Sequence, residues 1–338
     1  MGRALELAAQ GRTSTQPNPR VGCVIAFGEQ VIGEGWHQRS GEPHAEVFAL
    51  REAGERARGA TAFVTLEPCN HHGRTPPCSV ALIAAGIARV IYASGDPNPR
   101  VDGSGAARLR EAGVVVEQGL RAAEGEELNL GFFSRMRRQR PWLRLKMAAS
   151  LDGRTATASG ESHWITSDAA REDVQRWRAE SAAILSTSAT VLADDPRLSV
   201  RLDSARQPLR VLLDRDGRIP KRARLFAEPG EVLHLTSKEI ALEASGRLSL
   251  PAVLSTLNAL EINEVWTEAG ATLAGSLITA NLVDELVIYL APMLLGSEGR
   301  PLAALKIDRL LDASRWQTTD LRQIGPDIRI MLRPLRSA

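Results

Sequence analysis

Two cysteines, Cys69 and Cys78, bracket a short run in PCNHHGRTPPC (68–78), downstream of PHAE (43–46). Few features restrict a fold as much as reactive side chains that must meet from separate segments. Taken alone, the two cysteines admit three uses: a disulfide, a metal site, or small residues in a loop. The chain of 338 residues has 3 cysteines, all before residue 79, an odd and sparse count that does not make a disulfide framework. The N-terminal MGRALELAAQGR lacks a signal-peptide pattern and reads as a short amphipathic helix. No apolar run is long enough to span a bilayer. These observations predict a soluble, cytoplasmic protein, in which a disulfide is disfavoured.

Periodicity places the motif. The first half predicts strands at 21–27 and 31–37 joined by a Gly28-Glu29-Gln30 hairpin, a helix at 44–59 with Val47, Leu50 and Ala53 on one face, and a strand at 60–66. A helix at 79–86 closed by Gly86, strands at 90–95 and 114–119, and a long helix at 121–138 complete it. This β-β-α-β-α-β-α-β order implies a sheet flanked by helices. The basic run SRMRRQRP (134–141) reads as a solvated helix end, and Pro141 marks a boundary between domains 1–140 and 141–338. The second half predicts strands at 142–150, 182–188, 209–214, 231–236, 261–270 and 285–292. Its helices lie at 167–180, capped by Ser167 or Asp168, and at 271–280.

A His-x-Glu opening one helix and a Pro-Cys opening another form the zinc-deaminase signature. One neutral imidazole and two thiolates hold Zn²⁺ with a fourth position open to water, which then ionises near neutral pH. His44, Cys69 and Cys78 are the candidate ligands. Glu46, two residues beyond the ligand, can lie beside that water and carry its proton to the ring nitrogen and the leaving amine. Helix N-termini beneath the metal favour thiolates. The usual signature has two residues between the cysteines; here eight intervene, so NHHGRTPP must bulge outward and return Cys78. His71 or His72 as a fourth ligand would make the site structural instead. Cys23, mid-strand in an apolar run, reads as packing.

PNPRVGCVIAFGEQVIGEGWH (17–37), PHAEVFAL (43–50) and TLEPCNHHGRTPPC (65–78) closely resemble the bacterial bifunctional riboflavin-biosynthesis deaminase/reductases, the eight-residue cysteine gap included. DPNPRVDGSG (96–105), LKMAASLDGRTATASGESHWIT (145–166), SATVLADDPRLSVR (188–201) and VWTEAGATLAGSLI (265–278) extend the resemblance over almost the whole chain. It implies a cytidine-deaminase-like three-layer α/β domain followed by a dihydrofolate-reductase-like α/β domain. It implies zinc on His44, Cys69 and Cys78, and proton transfer by Glu46. The first domain would remove the 2-amino group of 2,5-diamino-6-ribosylamino-4(3H)-pyrimidinone 5′-phosphate, contacted by Asn18, His37, His71, Arg74, Asp96 and Asn98. Asn18 and Asn98 also stand in Asn-Pro turns, rigid places from which to aim an amide, and Arg74 suits a phosphate. Phe48 departs from the family, which often has a histidine there but does not use it as a ligand. The N-terminus starts a few residues later than in relatives, which implies a shortened first helix.

The second domain would use NADPH to reduce the ribosyl group to ribityl. The sequence has no G-x-G-x-x-G after a first strand, so a plain Rossmann domain is disfavoured. Small residues in EAGATLAGS (268–276) would let a pyrophosphate approach a helix N-terminus. The resemblance implies NADPH contacts from Ala148, Trp164, Thr190, Asp194 and Gly270, Ala271, Thr272, Leu273, Ala274, Gly275 and Ser276. Arg215, at a strand end, is a candidate for the adenosine side. Ser162, Arg178, Leu198, Arg201 and Glu268 are implied on the substrate, the two arginines suiting a sugar phosphate. Lys146 is assigned an electrostatic role near the reacting sugar. Relatives form homo-oligomers through this domain, an expectation by analogy.

Two rivals make other demands. A nucleic-acid deaminase needs a basic, aromatic-studded groove, whereas net charge is +2 and aromatic content 4%. A zinc-stabilised binding module predicts that Glu46 is dispensable and that nothing oxidises NADPH. The expected partner is therefore a small pyrimidine ribosyl phosphate, with neither nucleic acid nor membrane.

Overall fold

The computed structural model describes residues 1–70, 76–99, 101–203 and 206–335. The chain divides into two compact units, Met1–Gln139 and Arg140–Ala338. The candidate contacts His71 and Arg74 lie outside the described residues. Among the described residues no helix is long and apolar enough to cross a membrane.

In chain order the first unit contains α1 (Gly2–Ala9), β1 (Gly22–Phe27), β2 (Gln30–Trp36), α2 (Ala45–Ala53), β3 (Thr61–Leu66), α3 (Cys78–Ala84), β4 (Arg89–Ser94), α4 (Ser104–Glu111), β5 (Val115–Gln118), α5 (Ala122–Leu128) and α6 (Leu130–Arg138). The strands form one sheet in the order β2-β1-β3-β4-β5, antiparallel from β2 through β1 to β3 and parallel from β3 to β5. Alternation assigns the faces. Cys23 and Ile25 point into a core shared with Ala45, Ala49, Leu82 and Leu109, while Val24 packs with Ala4 and Leu7 on the opposite side. Helices cover both faces, giving three layers. Cys23 is fully buried, as a packing residue should be.

Two local expectations fail. The buried stripe of α2 is Ala45, Ala49 and Ala53 together with Glu46, whereas Val47 and Leu50 are half-buried. The cause lies across the interface. A Cβ on Gly35 would stand 2.4 Å from the Ala45 carbonyl oxygen, and one on Gly33 2.2 Å from that of Ala49. The helix therefore rests directly on the backbone of β2, a contact that only small residues permit. The long helix predicted over 121–138 breaks at Asn129. The Asn129 side-chain oxygen accepts from the Arg20 N–H at 2.8 Å, and its amide donates to the Arg20 carbonyl at 2.9 Å. Asn129 thus leaves the helix (φ −124°) to hold the segment after Asn18.

The second unit contains β6 (Trp142–Ser150), β7 (Arg154–Ala156), α7 (Asp168–Glu180), β8 (Ala183–Thr187), α8 (Ser188–Asp194), β9 (Leu209–Leu213), β10 (Val232–Leu235), α9 (Leu250–Ala259), β11 (Glu264–Glu268), α10 (Ala271–Thr279), β12 (Glu285–Ala291), β13 (Arg300–Pro301), β14 (Trp316–Ile324) and β15 (Asp327–Pro334). Its main sheet runs β10-β9-β8-β11-β6-β12-β15-β14, with β10 to β12 parallel and β15 and β14 antiparallel. No strand is predicted after residue 292. The hairpin β14–β15 extends the sheet beyond that point, and its signal is the Gly325-Pro326 turn beside alternating Ile328, Ile330 and Leu332. Along β6, Leu143, Leu145 and Met147 face a core closed by α9 and α10. The other face carries a buried cation. Arg144 donates to Glu264 at 2.5 Å and to Glu285 at 2.6 Å, and its guanidinium stands 5.2 Å from the Trp177 ring of α7. Ser167 caps α7, accepting from the Ala170 N–H.

Candidate active sites

In the first unit the metal-ligating atoms of His44, Cys69 and Cys78 lie within 4.8 Å of one another. Three elements deliver them: His44 is the N-cap of α2, Cys69 follows β3, and Cys78 opens α3. His44 Nδ1 stands 3.2 Å from Cys78 Sγ and 3.5 Å from Cys69 Sγ. A tetrahedral zinc with its usual bond lengths sets ligands about 3.5 Å apart, so the donor set and its spacing fit that ion. The electrostatics agree. Cys78, followed by His44, draws the Cys69 thiol down to about 4. Cys78 itself is pushed up, first by its neighbour Cys69 and then by burial. Two adjacent thiolates repel, and a divalent cation between them removes that penalty.

Glu46 lies in the first turn of α2, 3% exposed. Its Oε2 is buried without a hydrogen-bond partner among the described residues. Burial pushes its carboxyl up, with His44 opposing. A buried carboxyl that interacts electrostatically with all three metal ligands is placed to accept a proton there. Beside it, His37 Nδ1 faces the Pro43 carbonyl at 3.1 Å, so Nδ1 carries the hydrogen and Nε2 accepts from Asn18 Nδ2 at 3.0 Å. Burial pushes His37 toward this neutral form, and its ring packs edge-on against His44 at 5.4 Å. Asp96 accepts from the Asn98 N–H at 2.8 Å, and burial raises its pKa to about 7. Asn129 and Glu67 were not candidates. Both are buried polar side chains that hold site loops, and the only sequence signal was a charged residue ending an apolar strand.

In the second unit a charged cluster gathers where the carboxyl end of β11 meets the middle of β6, and Lys146 and Glu268 are register neighbours there. Arg178 grips Glu268 at 2.6 and 2.8 Å and donates to the Ser199 carbonyl, while Trp266 Nε1 donates to Glu268 at 2.8 Å. Burial works against the Glu268 charge, but Arg178 and Lys146 hold its pKa at about 2. The Arg178 fork is therefore occupied by Glu268 and is not open to a phosphate, whereas Arg201 is exposed.

Other candidates sort by exposure. Trp164 is exposed with the Arg171 guanidinium 4.5 Å from its ring, and Asp194, ending α8, stands 3.5 Å from His163. Thr190 accompanies the Thr187 cap of α8. Ser162 and Ala148 are half-buried. Leu198 is 2% exposed in the core beneath α7, so its side chain offers no surface to a substrate. Within the 268–276 turn, Gly270 and Thr272 are exposed and Ala271 half-buried, but Leu273, Ala274 and Gly275 face the core. A Cβ on Gly275 would meet the Ala304 carbonyl at 2.2 Å, so this glycine serves packing, not cofactor approach. Ser276 binds the Thr272 carbonyl and Arg247. Arg215 is exposed and paired with Asp216.

A three-layer α/β unit with a His/Cys/Cys group and a buried glutamate defines a zinc-binding deaminase, here in one chain with a second, largely parallel α/β unit. Residues 1–94 match the cytidine and deoxycytidylate deaminase zinc-binding region, and residues 141–330 match the RibD C-terminal domain. The riboflavin biosynthesis protein RibD of Escherichia coli (strain K12) is 51% identical over 97% of this chain and 96% of its own length. The structure of Acinetobacter baumannii RibD is similar at TM-score 0.93 and 45% identity, covering 99% of this chain and 98% of that one. A Thermotoga maritima diaminohydroxyphosphoribosylaminopyrimidine deaminase/5-amino-6-(5-phosphoribosylamino)uracil reductase gives TM-score 0.90 at 33% identity, with 99% and 97% coverage. The chain belongs to the RibD family, the bifunctional deaminase/reductases of riboflavin biosynthesis.

Proposed function

We propose that this enzyme deaminates 2,5-diamino-6-ribosylamino-4(3H)-pyrimidinone 5′-phosphate and then reduces its ribosyl group with NADPH, yielding 5-amino-6-ribitylamino-uracil 5′-phosphate. The observation that carries the first step is the convergence of His44, Cys69 and Cys78 beside the unpartnered Glu46 oxygen. Those three residues would hold Zn²⁺, which supplies Lewis-acid activation of water. Glu46 takes the proton and returns it to the ring nitrogen and the departing amine. Asn18, oriented by the neutral His37, and Asp96 with Asn98 bind the pyrimidine; His71 and Arg74 are assigned to the same substrate.

NADPH, when bound, supplies the hydride, and the second unit positions it. Ala148, Trp164, Thr190, Asp194 and the start of α10 at 270–272 serve the cofactor. Ser162, Lys146, Glu268 and Arg201 face the sugar phosphate, and Arg178 orients Glu268. The enzyme works in the cytoplasm as a homo-oligomer, without nucleic acid or membrane.

The test follows NADPH oxidation by purified protein. A zinc chelator is expected to stop oxidation when the diaminopyrimidine is supplied, and added Zn²⁺ to restore it, while the deaminated compound is reduced throughout. Oxidation that survives complete zinc removal with the diaminopyrimidine would refute zinc-dependent deamination as the first step.

A further inference from the structure

Glu67 follows β3 directly and precedes Cys69 by two residues, yet its charged side chain belongs to a residue only 5% exposed. Its partners are backbone N–H groups. Oε2 accepts from Gly103 at 3.2 Å and from Asp96 at 3.5 Å, and Oε1 accepts from Ala106 at 3.1 Å. Gly103 is the N-cap of α4, and Ala106 lies in its first turn. Amides there have no carbonyl acceptor within the helix. The first helical bond runs from the Ala107 N–H to the Gly103 carbonyl, at 2.9 Å. The carboxylate of Glu67 thus does for α4 what a capping side chain does, but from a different strand.

One oxygen, Oε2, touches both ends of the connection 96–103, which presents Asp96 and Asn98. Inside it, the Asn98 N–H donates to Asp96 and the Val101 N–H donates to the Asn98 carbonyl at 2.8 Å. On the other side, α4 presses on the strand end. A Cβ on Gly105 would fall 1.8 Å from the Pro68 carbonyl oxygen, and Arg108 Nη1 reaches Asn70 Oδ1 at 3.3 Å. The segment 67–70 is therefore fastened to α4 on both sides of Cys69.

We infer that Glu67 is a positioning residue for deamination: its carboxylate closes the 96–103 loop and holds Asp96 and Asn98 in a fixed relation to Cys69. The inference rests on the deaminase reading above. A carboxylate is required because both oxygens accept. Glutamine keeps one acceptor but turns an NH₂ against a backbone N–H, which then lacks a partner. Because the loop contacts substrate and leaves the metal ligands in place, loosening it removes uniform binding and is felt in KM more than in kcat.

The test uses the full, zinc-loaded chain with Glu67→Gln. Deamination kinetics, zinc stoichiometry and hydrogen exchange at the Gly103 and Ala106 amides are measured, with reduction of the deaminated compound as an internal control. KM for deamination is expected to rise about tenfold or more, and exchange at both amides to quicken by a similar factor, as loss of charge-assisted hydrogen bonds implies. Zinc content and the reductase rate stay unchanged. An unchanged KM, or loss of zinc in the variant, overturns the inference; the latter would make Glu67 a support for the metal ligand instead. If the wild-type protein does not deaminate the nucleotide at all, the functional reading fails, and exchange still judges the loop. If the variant does not fold, wild-type exchange decides: Gly103 and Ala106 amides protected like the sheet support the clamp, and free-amide rates refute it.

Discussion

Replacing Glu46 with alanine is expected to lower deamination about 10²–10⁴-fold, the usual worth of a positioned proton carrier. The variant should consume NADPH at the wild-type rate when handed the deaminated compound, and only negligibly when given the diaminopyrimidine. The prediction follows from a carboxyl that is 3% exposed, has a buried oxygen without a hydrogen-bond partner among the described residues, interacts electrostatically with His44, Cys69 and Cys78, and lies on the first turn of the helix that His44 caps. Zinc content should not fall, because Glu46 is not among the ligands. A variant that oxidises NADPH from the diaminopyrimidine as fast as wild type would show that Glu46 is not the proton carrier or that deamination does not come first.

Replacing Arg178 with methionine is expected to destabilise the second unit by about 3–5 kcal/mol, because it leaves Glu268 buried without its bidentate partner. Reduction should be lost and deamination retained. The pH dependence gives the sign. In the wild type the Glu268 pKa lies at about 2, below its ordinary value of 4.5. Its contribution is therefore complete above pH 4.5 and fades as pH falls toward 2. Without Arg178, burial dominates and drives the carboxyl upward, so the charge becomes a cost that protonation relieves. The gap between wild type and variant should be widest near neutrality and narrow on acidification, as read from denaturant midpoints. Adding Glu268→Gln should recover much of the loss. A gap independent of pH would mean that Arg178 acts through packing alone.

The sequence was most readable where chemistry demands residue types at fixed offsets. His44, Cys69 and Cys78 could be named because a zinc site needs those donors, and Glu46 because a proton carrier must stand beside them. Elements with strong periodicity, such as the β1–β2 hairpin and α7, were legible for the same kind of local reason. What escaped depended on contacts distant in sequence. Asn129 looks like any helical asparagine until Arg20 arrives from 109 residues away. The buried side of α2 could not be read from its own residues, because the glycines of β2 select alanines over the larger Val47 and Leu50. Arg178 looked like a phosphate ligand, a residue type that fits; its partner Glu268, 90 residues on, decides otherwise. In the EAGATLAGS turn, the family resemblance implies cofactor contact throughout 270–276, whereas Gly275 answers to the Ala304 backbone.

The bare-backbone seat of α2 on β2 acts as a ruler. A metal bond tolerates about 0.2 Å of error. A methyl group on Gly35 would stand 2.4 Å from the Ala45 carbonyl, where ordinary contact begins at 3.4 Å, so the helix would have to rise by about 1 Å. That lift carries His44 and Glu46 away from Cys69 and Cys78, which hang from other elements, by several times the tolerance. The thickness of this glycine layer cannot change by one carbon. The dimension on which the deaminase centre depends is thus set by two residues that carry no chemistry at all.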